Sequence, residues 1–207
     1  MTLVQIRSVD APLNRQTLIG PALGLVRRAL ATGLLRDEDV IDTLDLDLVR
    51  TIAREASAAG IGTTAALRLL ESPPTSQLGS LIGRLDDALI ESPLPDRELE
   101  ELAPALGLDL LATLVGISTV SLRRYVAKSR TVPDLVAARV HLLALVVSDL
   151  AGAYNQLGVR RWFERPRTQL GGKSPRQVLR GSWTPDDADV RQLQALAAAL
   201  AGPGGAT

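Results

Sequence analysis

The chain has 207 residues, 23 basic and 23 acidic side chains, a formal net charge of zero and 46% hydrophobic content, enough for one or two folded domains. It has no Cys and one His. That excludes a disulfide framework, a thiolate zinc site and a cysteine nucleophile, and leaves any serine triad or two-histidine metal site resting on His141 alone. No enzyme chemistry, metal or cofactor is therefore expected.

Ala and Leu dominate the composition, both strong helix formers without β-branching, and an all-helical fold is predicted. The start, MTLVQIRSVDAPLNR, lacks the basic opening and continuous apolar stretch of a signal peptide. The apolar run Leu142 to Val147 is far shorter than a membrane span, so a cytoplasmic location is expected.

From Arg15 to Leu35 the spacing of Leu23, Val26, Leu30 and Leu34 predicts one or two helices, interrupted by Gly20-Pro21. Asp37 to Ala58 repeats the pattern with Val40, Ile41, Leu44, Leu48, Val49 and Ile52, and stops at Gly60-Ile61-Gly62. Thr63 is placed to cap a short helix through Leu70 before Ser72-Pro73-Pro74 breaks it. A further helix is expected over 76–90 on Leu78, Leu81, Ile82, Leu85 and Leu89. Ser92-Pro93-Leu94-Pro95 then forms the clearest linker, and it divides residues 1–95, a helical domain without an assigned role, from the remainder.

Zero net charge conceals an uneven distribution. Residues 1–110 carry 10 basic and 17 acidic side chains, residues 111–181 carry 12 and 3, and residues 182–207 carry 1 and 3. A basic block inside a neutral chain is the footprint of a phosphate-binding surface, although ordinary solvated faces give the same count. All five aromatics, Tyr125, Tyr154, Trp162, Phe163 and Trp183, also lie beyond residue 124, so the first half must pack on aliphatic side chains alone.

Within residues 96–150, Asp96 and Asp109 are placed to cap two successive helices, Gly116 supplies the permissive backbone of a tight turn, and a third helix starts at Ser118. Leu111, Leu114, Ile117, Leu122 and Tyr125 are spaced to bury a shared seam. Ser118, Thr119, Ser121, Arg123, Arg124 and Lys128 are left on or beside the outer face, and Arg130 follows in the loop. This is a helix-turn-helix pattern, in which short hydroxyl side chains approach base edges in the major groove and Arg reaches guanine or phosphate. Plain helical hairpins share the pattern; the basic setting, with Arg139 on the next helix, favours DNA. His141 is expected to be a buried or interface histidine, and the run Leu142 to Leu150 suits a central helix or a dimer seam. Residues 58–68 loosely echo 114–123 once a one-residue gap brings Leu67 onto Leu122, and the acidic surroundings of that echo suit packing better than DNA reading.

Beyond residue 151 come a helix with an aromatic pair, a polar loop, a Pro-started helix and a final stripe of Val190, Leu193, Leu196 and Leu200. Ser174 suits a cap and Pro175 the first helical position. Gly171-Gly172 permits either close approach by a partner or a tight internal turn, and Trp162 is a core anchor or an interface hot spot. Gly172-Lys173-Ser174 is not the end of a P-loop, because Arg167 stands where that template demands Gly and no strand precedes it.

The order Trp162, Arg165-Pro166-Arg167, Leu170-Gly171-Gly172-Lys173-Ser174-Pro175 and Leu179 resembles the toxin-binding domain of Xre/MbcA/ParS-type antitoxins. An Xre-like helix-turn-helix precedes that domain in the family, so the resemblance covers about residues 98–202. It implies an antitoxin that occludes a RES-domain, NAD-degrading toxin and represses the shared operon, as a homodimer or within a larger toxin–antitoxin complex. The implied toxin-binding residues are Trp162, Arg165, Arg167, Leu170, Gly171, Gly172, Ser174, Pro175 and Leu179, with Arg176 in the basic rim. The chain departs from the family pattern in Ser182 to Asp189 (SWTPDDAD) and in residues 1–95. A stand-alone helix-turn-helix transcription regulator without a toxin is the alternative. The tail, residues 202–207, is expected to fray.

Overall fold

The computed structural model describes residues 6–35 and 42–201. The expected tail and the expected helical positions Val40 and Ile41 lie outside the described residues. The chain is mostly helical, with eleven helices among the described residues and one two-stranded ladder. No single helix among them is long and apolar enough to cross a membrane, and no group of His, Asp or Glu there could hold a metal ion. They form two compact units, one ending at Pro93 and the other beginning at Leu94.

The first unit contains α1 (Gln16–Ala31), α2 (Leu46–Ala58), α3 (Thr63–Leu70) and α4 (Thr75–Glu91). Helix α1 buries Leu18, Ala22, Leu25, Val26, Ala29 and Leu30 along one stripe and runs unbroken through Pro21, where an interruption is expected from sequence. Pro21 would have bonded the carbonyl of Thr17, which lies in the first turn, and there the backbone has room to adjust. An ion pair of 2.7 Å joins Arg28 of α1 to Asp86 of α4.

Helix α2 starts at Leu46, nine positions later than the periodicity suggests, because Asp45 caps it by accepting a 2.8 Å hydrogen bond from the Leu48 N–H. The preceding Thr43–Leu44 (β2) pairs in parallel with Ser8–Val9 (β1), a contact across 35 positions that no local pattern announces. Gly62, at φ +52°, occupies the cap of α3 in place of Thr63.

In the second unit, α5 (Pro95–Leu106), α6 (Leu108–Val115), α7 (Thr119–Val126), α8 (Asp134–Ala151), α9 (Gln156–Glu164), α10 (Pro175–Val178) and α11 (Ala188–Ala201) share one core. Asp96 and Asp109 fall within the first turns of α5 and α6, whose cap positions are Leu94 and Gly107. There the acidic groups face the positive helix end without capping it. The core extends from Leu99 to Ala197, so the segments 96–150 and 151–201 are joined by a common apolar interior. Helix α8 is its axis, buried without a break from Arg139 to Leu150. A helix buried on all sides must be surrounded, and α5, α6, α9 and α11 pack against it. His141 is buried there, with Nδ1 2.5 Å from Oε1 of the fully buried Glu98 on α5.

The two units repeat one local device. Gly60 and Gly116 both have φ +77°. The next N–H turns back to a helix carbonyl in each, Ile61 to Ala56 at 2.8 Å and Ile117 to Ala112 at 3.0 Å, and an eight-residue helix follows in each case. The register is gapless at a constant offset of 56 positions, from Thr63 to Thr119 and from Leu70 to Val126. Leu67 therefore stands at the place of Arg123, and the gap that puts it on Leu122 is not needed.

Candidate nucleic-acid interface

Helices α6 and α7 and the turn between them build the site. Leu111, Leu114, Leu122 and Tyr125 are buried in the seam and Ile117 is half-buried. Ser118 caps α7, its Oγ accepting from the Ser121 N–H at 3.1 Å and donating to the Ser121 hydroxyl at 3.0 Å. The Thr119 hydroxyl is turned toward Asp109 at 3.4 Å. These three hydroxyls are thus engaged in holding the helix end.

The outer face of α7 consists of Val120, Arg123, Arg124 and Ala127, all exposed and spaced one turn apart, so they form one stripe. The Arg123 and Arg124 side chains make no ion pair or hydrogen bond among the described residues. Lys128, at φ +52°, pairs with Glu100 at 2.6 Å, and the Arg130 guanidinium lies 5.8 Å from the Tyr125 ring centre. In α3 the equivalent stripe is Thr64, Leu67 and Arg68, and Arg68 is tied to Glu71 at 2.9 Å. The two units share the turn but not the cationic face.

Arg139 does not belong to that face. It is buried, donates from Nη1 to the Val115 carbonyl at 2.8 Å and from Nε to the Trp183 carbonyl at 2.8 Å, and lies 5.0 Å from the Trp183 ring centre. The Trp183 indole N–H donates to the Leu114 carbonyl at 3.0 Å. Leu114 and Val115 are the last residues of α6, whose carbonyls lack helical partners, and Arg139 with Trp183 supplies both. Burial lowers the Arg139 pKa from its ordinary value, with the Asp187 carboxylate opposing. Asp187 in turn is held below the usual carboxylate range by hydrogen bonds from the Thr184 N–H and hydroxyl, 2.9 Å each. Trp183, in the segment Ser182 to Asp189, thus braces the end of α6 together with Arg139. A side chain at Gly116 would meet the Gly181 carbonyl oxygen at 2.7 Å and Arg139 Nη1 at 2.9 Å, so this turn requires Gly for space as well as for its positive φ.

The residues that the resemblance assigns to a toxin interface divide by burial. Trp162, Leu170, Ser174, Pro175 and Leu179 are buried, Arg167 is half-buried, and Arg165, Gly171, Gly172 and Arg176 are exposed. Trp162 packs edge-on against Phe163 with ring centres 5.2 Å apart, and the Arg167 guanidinium lies over the Trp162 ring, 4.6 Å from its centre. Burial lowers the Arg167 pKa, and Tyr154 opposes this. Ser174 and Gln177 form a reciprocal capping box at the start of α10. Gly171 and Gly172 have φ +63° and +79° with no atom near either missing side chain, so they serve the turn closed by the bonds Gly172 N–H to Arg167 and Arg167 N–H to Lys173, both 3.0 Å. Arg160 is half-buried and satisfies the carbonyls of Pro104 and Ala105 at the end of α5. Arg176 pairs with Glu164 at 2.9 Å.

No family model, curated protein or solved structure matches this chain.

Proposed function

We propose that this chain is a non-enzymatic helix-turn-helix regulator of the antitoxin type, which binds operator DNA as a homodimer through α7 and blocks a RES-type, NAD-degrading toxin through residues 151–202. The observation that carries the DNA reading is the exposed stripe Val120, Arg123, Arg124 on a capped helix held by a Gly turn. Two exposed guanidinium groups that make no ion pair or hydrogen bond among the described residues suit guanine edges and phosphates. The toxin reading rests on the resemblance of Trp162 to Leu179, and the surface it leaves for an enzyme is the exposed basic rim of Arg161, Arg165 and Arg176 with Gly171-Gly172. Burial of Trp162, Leu170 and Leu179 in the chain's own core favours a second reading, a regulator with no toxin, in which this motif only completes the fold.

Purifying the tagged protein expressed from its native operon separates the two. Recovery of a small enzyme that consumes NAD only once freed from the complex supports the antitoxin; recovery of the protein with DNA alone supports the regulator. Replacing Arg123 with Ala is expected to weaken binding to a selected operator by about 1–3 kcal/mol while leaving random-duplex binding nearly unchanged, because base contacts specify and phosphate contacts position. Equal losses on both DNAs, measured by fluorescence anisotropy at one salt concentration, would assign Arg123 to the backbone.

A further inference from the structure

Three aliphatic side chains of the second unit stand well into solvent: Val120 at 59%, Leu135 at 49% and Leu157 at 54% exposure. Leu135 and Leu157 occupy the first turns of α8 and α9. Each begins its helix and is followed one turn on by arginine, but Arg139 after Leu135 and Arg160 after Leu157 are turned to carbonyls of their own chain, whereas Arg123 and Arg124 after Val120 are both exposed. A β-branched residue has no advantage in an exposed helical position, and more than half of Val120 faces solvent.

We infer that Val120 is a specificity residue that packs on the 5-methyl group of a thymine. This rests on the DNA reading above. Thymine carries the one apolar group on a base edge in the major groove, and an aliphatic side chain is its complement. Arg123 lies three residues further on, roughly 4.5 Å along the helix axis, while successive bases are about 3.4 Å apart. The methyl contacted by Val120 therefore lies within one or two base pairs of the base edge reached by Arg123. The hydroxyls of Ser118, Thr119 and Ser121 hold the helix end beside this apolar contact, and the two arginines flank it on the same face.

The test begins with the full-length protein and a random duplex library, from which bound sequences are enriched. Each thymine of the selected site is then replaced singly by deoxyuridine, which deletes only the methyl group. Wild type should lose roughly three- to fivefold in affinity at one position, and Val120→Ala should bind the thymine and deoxyuridine duplexes equally there. The variant sits on the surface and favours helix, so folding is not at stake. Wild-type indifference to deoxyuridine at every position, or the same loss in Val120→Ala as in wild type, overturns the Val120 assignment. If Arg123→Ala still loses preference for the selected site in that case, the DNA reading stands without it. Failure to enrich any sequence overturns both.

Discussion

Trp162→Ala is expected to destabilise the second unit by about 3–5 kcal/mol, the usual cost of removing a fully buried indole. Trp162 is 2% exposed, contacts the fully buried Phe163 and lies under Arg167, so the variant leaves a cavity and exposes a guanidinium stem at once. Both tryptophans of the chain lie beyond Leu94. The fluorescence of Trp183 therefore follows the melting of that unit in the variant, and the midpoint should fall by roughly 10–20 °C. The indole N–H of Trp162 has no acceptor among the described residues, so Trp162→Phe should keep most of the stability. Unchanged melting of Trp162→Ala, together with lost toxin neutralisation, would instead place the ring at the partner surface.

Arg139→Ala is expected to cost about 2–4 kcal/mol, because it strips the Val115 and Trp183 carbonyls of their donors inside the protein. The guanidinium reaches both carbonyls from one planar fork, a geometry an ammonium does not reproduce, so Arg139→Lys should not restore stability. Loosening of the Trp183 segment gives a second readout: Trp183, 3% exposed in the intact protein, should shift its emission to longer wavelength, and trypsin should cut faster after Arg180. Random-duplex affinity measured well below the melting temperature should stay the same, since Arg139 has no surface to offer phosphate. A loss of that affinity with unchanged emission would return Arg139 to the DNA face.

The helices were legible where the information is local. The stripe of Leu78, Leu81, Ile82, Leu85 and Leu89 is the buried face of α4. The cap at Ser118, the turn at Gly116 and the Ser174-Pro175 start of α10 follow from backbone chemistry within four residues. The outward positions of Arg123 and Arg124 follow from the same periodicity. Val120 escaped notice because an apolar residue on a short helix reads as core until its exposure is known.

Sequence by itself determined the helical character, the caps at Ser118 and Ser174, the turn at Gly116 and the cationic stripe on α7, all of which depend on interactions between residues a turn or less apart. Tertiary structure alone decided which cations belong to that stripe. Arg139 is as basic as Arg123 in the sequence, yet it is withdrawn to brace α6 by Trp183, 44 positions away, as Arg160 is withdrawn to α5 across 55. Glu98 meets His141 across 43 positions, and the β1–β2 ladder likewise forms between distant segments. Whether a polar side chain faces water or satisfies an orphaned carbonyl depends on which distant backbone packs against it, and that is settled only when the core closes.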